Sequence, residues 1–200
     1  SFALEERSFI TMDVQRTTDS LRGQFLIATP VIESGFFKST VTYICEHGEA
    51  GAMGIVINKP LDLQLADIFE HLNIQPLLCH DEVAVLAGGP VKVDRGFVLH
   101  SPGVTYEATL KVNDEVWLTT SKDVLVDIAS GTGPDQHVVT LGYAGWSGGQ
   151  LEQEIAENSW LTTPASRDVL FNTQVTEKFA AAGKLLGIDV HLLTQQAGHS

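Results

Sequence analysis

Gly145-Trp146-Ser147-Gly148-Gly149 spells G-x-S-x-G, the pattern by which many hydrolases present a nucleophilic serine at a sharp strand-to-helix turn. Its flanks fit: HVVTLGYAGW, from His137, is β-branched and alternating, and GQLEQEIAEN, from Gly149, is helical in composition. A catalytic serine also needs a base in reach, an acid to orient that base, and donors for the oxyanion. Asp168, Asp189, His191 and His199 all follow Ser147, so chain order permits a triad. The order of elements argues against one. An elbow of this kind belongs on a mainly parallel sheet with alternating helices, and this chain lacks that alternation. The glycines then serve to bend the backbone between strand and helix, and Trp146 plugs the adjoining core or pocket.

Other chemistries are weaker. Cys45 and His47 stand two apart in VTYICEH, and Cys79-His80 would complete four zinc ligands, but C-x-H and C-H are not recognised ligand spacings. A core cysteine and a hydrogen-bonded histidine are expected instead, with no metal and no other cofactor. Glu46 beside Cys45 would oppose a thiolate. Gly131-Thr132-Gly133 lacks the third glycine of a dinucleotide fingerprint and follows a helix rather than a strand, so it reads as a helix-ending turn. What remains is a polar and aromatic set at or near strand ends: Glu46, His47, Asn58, Lys59, Arg95, His100, Trp146 and Gln150. These are the candidate ligand- or partner-binding residues, with no catalytic residue among them. Arg95 offers an anion a planar fork and Lys59 a point charge. His100 can take up or give a proton near neutral pH. Trp146, Lys59 and Arg95 are expected to line one surface cleft.

These residues must be held by a mixed set of elements. GQFLIATP is a short buried strand stopped by Pro30. VTYICEH alternates, placing Val41, Tyr43, Cys45 and His47 on one face, and it forms a hairpin with AMGIVIN through Glu49-Ala50-Gly51, with Pro60 ending the second strand. Asp62 caps a helix running to Leu72, and residues 73–82 form a loop. VAVLAGGP and GFVLHS are strands joined by VKVDR; YEATLKV and EVWLTT are strands around Asn113-Asp114. Ser121 caps the helix SKDVLVDIAS, Thr163-Pro164 begins a short helix, Thr173 starts a long one closed by Gly187, and IDVHLLT is a last strand. Residues 1–20 form an arm or short helix, with Met12 as a candidate native start; residues 21–200 make one α+β domain, a mixed or antiparallel sheet in a small barrel-like core flanked by helices.

The bulk properties narrow the function. The net charge is −13, from 25 acidic and 12 basic residues, and no two Lys or Arg are adjacent. Direct nucleic-acid binding is not expected, because gripping phosphates takes a local basic stripe. There is no apolar run long enough to span a membrane, the acidic N-terminus lacks the apolar core of a secretory leader, and two cysteines suit a reducing compartment. A cytoplasmic location is expected.

Four long motifs recur in a recognisable order: ICEHGEAGAMGIVINKP from Ile44, AGGPVKVDRGFVLH from Ala87, LTTSKDVLVDIASGTGP from Leu118 and LGYAGWSGGQLEQEIAENSWL from Leu141. In these the chain strongly resembles the bacterial AlgH/YqgE family (UPF0301, DUF179) from Leu21 onward. The resemblance implies a single α+β domain with a small β-barrel, a bacterial cytoplasmic protein, and no established reaction. One branch of the family is called a transcriptional regulator through a link to alginate production. The family pattern resembles G-Y-x-x-W-x-x-G-Q-L-E, matched here by Gly142, Tyr143, Trp146, Gly149 and Gln150; it leaves position 147 open, and a nucleophile cannot be optional. The expected function is therefore regulatory, through a small anionic ligand or a protein partner, with any effect on transcription indirect. The alternative is a hydrolase or transferase acting on a small anionic substrate.

Overall fold

The computed structural model describes residues 20–78 and 83–192. The arm before Ser20, the Cys79-His80 pair and His199 lie outside them. The strands are β1 Gln24–Ala28, β2 Val41–Gly48, β3 Gly51–Val56, β4 Pro60–Gln64, β5 Ala84–Ala87, β6 Val91–His100, β7 Thr109–Lys111, β8 Trp117–Thr119, β9 His137–Ser147 and β10 Trp160–Pro164. The helices are α1 Leu65–His71, α2 Asp123–Ala129, α3 Gln150–Ala156 and α4 Lys178–Leu185; a π-helical turn covers Asp168–Asn172 and a 3-10 turn Val175–Glu177. The main sheet runs β10-β1-β2-β3-β9-β6-β8-β7, and β4 joins it through β5. Among the described residues every pairing is antiparallel except β5 with β9. This is the expected α+β domain, its curled antiparallel sheet forming a half-barrel with helices against it.

β9 is the organising strand. Its first half pairs with β6 on one side and β5 on the other, and its second half pairs with β3. The change of partner falls at Gly142, where φ is +80°. The β5–β6 turn lies flat on this bend. Gly88 N–H donates to Leu141 O at 2.7 Å, and Gly88 O accepts Val56 N–H at 2.7 Å, so one residue stitches β9 to β3. Ladder hydrogen bonds that change partner this way need backbones in direct contact, and that explains the Gly88-Gly89 pair.

Three apolar clusters fill the two sides among the described residues. The first joins Phe25, Tyr43, Cys45, Ile55, Phe97 and Leu99 to Leu170 and Ala182, under the π-helical turn and α4. The second packs Val85, Val98 and Val139 against Leu65 and Phe69 of α1 and Val124 and Ile128 of α2. The third gathers Leu26, Ile44, Ala52, Ala144, Trp146 and Trp160 under Leu151 of α3 and Phe37 of the β1–β2 loop. Each large side chain fully buried in this way contributes about 1.5–3 kcal/mol of transfer free energy. No helix among the described residues is long and apolar enough to cross a membrane.

Several elements differ from the sequence expectation. Pro60 opens β4 instead of ending a hairpin, and α1 starts later, with Gln64 and Asp67 completing a capping box in place of Asp62. VKVDR belongs to β6, in an excursion where the register steps from Val91↔Tyr143 to Gly96↔Leu141. Thr163-Pro164 closes the edge strand β10; proline is tolerated there because no neighbour needs its N–H. Lys122, not Ser121, precedes α2. The long final helix begins at Lys178, after the 3-10 turn, and residues 190–192 of IDVHLLT are helical.

One further correction changes the chemistry. Ile44 pairs with Gly54 and Glu46 with Met53, so Cys45 is an inserted residue with no β3 partner. Such a bulge reverses the alternation beyond it. Tyr43 and Cys45 stay in the first cluster, Glu46 turns to the side of Met53, and His47 turns to the opposite side with Ala52. Cys45 and His47 therefore do not share a face.

Candidate functional site

The β9–α3 turn carries a connected polar network. Glu154, one turn into α3, accepts the indole N–H of Trp146 at 3.1 Å and of Trp160 at 3.0 Å on the same carboxylate oxygen. Its other oxygen accepts the Gln150 side-chain amide at 2.8 Å. Gln150 Oε1 in turn accepts Ser147 N–H at 2.9 Å and the Ser147 hydroxyl at 3.2 Å. This fixes which way the Gln150 amide faces. The two indoles meet edge to face, 6.1 Å between centroids, with Phe37 against both. Trp146 is 4% exposed and Trp160 3%, so the pair is a plug whose polar tips are satisfied from α3.

Ser147 is the elbow serine, and its hydroxyl is bonded to an amide that cannot act as a base. The turn around it is demanded by the backbone. Gly149 caps α3 with φ +80°, and an added Cβ there would meet nothing within 4 Å. Substitution then costs mainly conformational strain, of the order of 1–2 kcal/mol per left-handed residue. Gly149→Val is expected to lower stability by that amount, read from the urea midpoint at unchanged slope; an unaltered midpoint refutes it.

His47 sits beside this network. Its Nδ1 accepts Leu21 N–H at 2.9 Å, while Nε2 faces the carboxylate of Glu152 on α3. Glu46, on the other side of the sheet, pairs with Arg22 at 3.3 Å. Burial pushes the Glu46 carboxyl above its ordinary range, with Arg22 working against that. Arg22 also donates to Val112 O and Lys111 O, each at 2.7 Å, tying the start of β1 to the β7–β8 hairpin. Asn58 bridges Val41 N–H and Ser39 O, both at 2.9 Å. Lys59 donates to Phe36 O at 2.8 Å and lies 3.9 Å from the centre of the Phe36 ring; partial burial lowers its amine. Phe36 touches Phe37, so Lys59 connects to Trp146 through two aromatic rings.

The remaining candidates lie elsewhere. Arg95 is half-buried on the β6 excursion. His100 is fully buried at the end of β6. Nδ1–H donates to Ser101 O at 2.9 Å, Nε2 meets Thr119 Oγ1 at 2.6 Å, Thr119 Oγ1 meets Thr109 Oγ1 at 2.8 Å, and Thr109 accepts Tyr106 N–H at 2.8 Å; with the Thr109 and Thr119 hydroxyls both directed toward the ring, Nε2 is the acceptor. The ring is neutral in this arrangement. Burial lowers its basicity, with the Ser101 bond opposing. An unfolded histidine binds a proton as pH falls below about 6.5, before the buried one does. The stability this group contributes is thus complete above that pH and is lost as pH falls through the folded value. Wild-type protein is expected to lose stability from pH 7.5 to 5.5 more steeply than His100→Gln, by no more than about 1.4 kcal/mol per pH unit; equal slopes in urea titrations refute the assignment.

Cys45 is buried, and burial followed by the nearby Glu46 charge pushes its thiol well above the usual range. Among the described residues no three His, Cys, Asp or Glu side chains are grouped to hold a metal. The structure therefore brings together His47, Trp146 and Gln150, links Lys59 to them, and leaves Glu46, Asn58, Arg95 and His100 on other parts of the fold. Sequence reasoning missed Glu154, Trp160, Glu152 and Arg22. The spacing Gln150/Glu154 on one helix face, between two tryptophans, was the available signal.

A half-barrel of curled, almost wholly antiparallel sheet with helices packed against it is the class of fold this protein adopts. The AlgH-like family model (DUF179) matches residues 25–191, and this chain belongs to that family. A UPF0301 protein of Saccharophagus degradans is 50% identical over 181 residues, covering 90% of this chain and 89% of that one. A UPF0301 protein of Thioalkalivibrio sulfidiphilus is 49% identical, covering 92% and 98%. The solution structure of the AlgH protein from Pseudomonas aeruginosa superposes with a TM-score of 0.76 at 46% identity, covering 93% of this chain and 99% of that chain. A crystal structure from Corynebacterium diphtheriae, at 19% identity, shares the fold with a TM-score of 0.71, covering 94% and 97%.

Proposed function

We propose that this protein works by binding, as a regulatory cytoplasmic protein that engages a small anionic ligand or a protein partner, with any effect on transcription indirect. The observation that carries this reading is the state of Ser147: its hydroxyl donates to the Gln150 amide, and Gln150 is itself held by Glu154. The partner of the Ser147 hydroxyl is thus an amide engaged in tying α3 to β9, not a base. For an anion, Arg95 offers a planar fork and Lys59 a point charge, at two separate places on the fold. The overall charge of −13 disfavours direct contact with DNA.

Native mass spectrometry of freshly purified protein tests the binding reading: a co-purifying small molecule or a defined partner complex supports it. A broad esterase and phosphatase screen tests it from the other side. Turnover that disappears in Ser147→Ala would overturn it.

A further inference from the structure

We infer that residues 29–40, between β1 and β2, are a lid, and that Phe37 keeps the place of the ring of a small aromatic anion, which binds between the two indoles and Lys59. This rests on the binding reading above and supplies the class of ligand. The loop is pinned at its ends and loose between them. Thr29 N–H donates to Ser159 O and Ala28 N–H to Thr40 O, both at 3.0 Å. Among the described residues, the backbone-to-backbone hydrogen bonds of positions 30–39 stay within the loop, Ile32 N–H to Thr29 O and Lys38 N–H to Gly35 O. That stretch is tied to the body by two neighbouring side chains, Asn58 on Ser39 O and Lys59 on Phe36 O, and by the packing of Ile32 and Phe37 on the third cluster. A segment with so few backbone bonds to its surroundings opens at low free energy. It also carries its own bending points. Gly35 has φ +87° with open space around it, and Ser39 has φ +58°, a conformation that a residue with a Cβ adopts only where its surroundings impose it. Asn58 holds the carbonyl of that same Ser39.

What the lid covers has the form of a ring site. Phe37 stands edge-on to Trp160, 5.6 Å between centroids, and tilted to Trp146 at 6.1 Å. Those spacings are the ones aromatic rings choose when they meet. The Glu154 carboxylate beneath is already taken up by the two indoles and Gln150, so the socket selects a ring by its shape. The charge recognition comes from Lys59. Its ammonium has uncharged partners, the Phe36 carbonyl at 2.8 Å and the Phe36 ring at 3.9 Å. An anion makes a stronger hydrogen bond to an ammonium than a carbonyl does. Phe36 and Phe37 are successive residues with ring centres 5.2 Å apart, so a movement that draws Phe37 from the indoles also takes Phe36 off Lys59. Ring site and cation are therefore uncovered together, and a ligand that fills both carries a ring and an anionic group. The steps of 3.9 Å and 5.2 Å, from Lys59 Nζ through Phe36 to Phe37, set the outer limit of the distance between them.

Two measurements test this. The first is hydrogen exchange at the indole N–H groups of Trp146 and Trp160. Lys59→Met and Asn58→Ala should each speed both indoles roughly fivefold, the loss of one hydrogen bond of ordinary strength. The amide of Phe97, buried in β6 opposite Thr140, should keep its rate. Unchanged indole exchange in both variants overturns the lid, and so does an equal acceleration at Phe97, which would mean that the whole domain had loosened. The second is titration with phenyl phosphate, followed through the same indole signals, against inorganic phosphate and benzyl alcohol. Phenyl phosphate should bind about tenfold more tightly than either fragment, because ring and charge are held by separate groups. Phe37→Ala removes the competing ring and should bind phenyl phosphate several-fold more tightly again. Weaker binding by Phe37→Ala, or no shift in either protein, overturns the ligand class. That failure is distinct from failure of the binding reading: a molecule that co-purifies in native mass spectrometry, with no affinity for phenyl phosphate, keeps the reading and sinks this inference.

Discussion

Gly89→Ala is expected to abolish the native fold, or to cost at least about 4 kcal/mol if any folded protein is recovered. A Cβ at this position would lie 1.9 Å from the Tyr143 carbonyl carbon, 2.1 Å from its oxygen and 2.3 Å from the Ala144 nitrogen. All three are backbone atoms of β9, and none can swing aside as a side chain would. Moving β9 away would also break the Gly88 stitch to Leu141 and Val56. Opposite, Gly142 is under the same pressure: its added Cβ would come 2.4 Å from Gly89 O. The matched control is Gly145→Ala, in the elbow motif. There the nearest atom to a new Cβ is Tyr143 Cε2, at 3.5 Å, an ordinary contact. Circular dichroism melts of the two variants should separate them completely. A Gly89→Ala protein melting within a few degrees of wild type would show that the crossing is looser than described.

Glu154→Ala carries the second-largest expected effect. It leaves the indole N–H groups of Trp146 and Trp160 buried without their acceptor, and it removes the Gln150 side-chain amide's partner one turn along the same helix. Each orphaned buried donor costs about 1–3 kcal/mol, giving a loss on the order of 2–6 kcal/mol for the two. Glu154→Gln is more discriminating. It keeps one oxygen for the indoles but turns an NH2 group toward the NH2 of Gln150. Gln150 then has to flip and give up both bonds from Ser147. An intermediate loss is expected, with tryptophan emission shifted in both variants because both indoles lose or change their partner. If Glu154→Ala unfolds at the wild-type urea concentration, the carboxylate is not what holds α3 in place.

The sequence made some of this legible and concealed the rest for physical reasons. The hairpin at Glu49-Ala50-Gly51, the long strand from His137 and the helix after Gly149 follow from β-branched alternation and turn residues acting locally. The bulge at Cys45 was not legible, because one inserted residue leaves the pattern before and after it intact while exchanging the faces. VKVDR looked like a connection because it is polar and partly exposed; it is still strand, in the excursion where β6 leaves the β9 ladder. Pro164 suits a helix start equally well as the end of an edge strand, and only the neighbour across β1 decides. At the candidate site, Trp146 and Gln150 were found through their motif. Glu154 was not, since a glutamate on an amphipathic helix ordinarily faces water and only the tertiary meeting of two indoles gives it work.

The sheet also has limits, at β10, β4 and β7. β10 finishes on Pro164 and β4 starts on Pro60, each withholding a donor at its end. β7 is three residues long and ends on Lys111. An open sheet invites a foreign strand to add itself wherever a long, bare row of amides is on offer. None of these three margins offers one, so the half-barrel can stay unclosed without templating fibrils of itself.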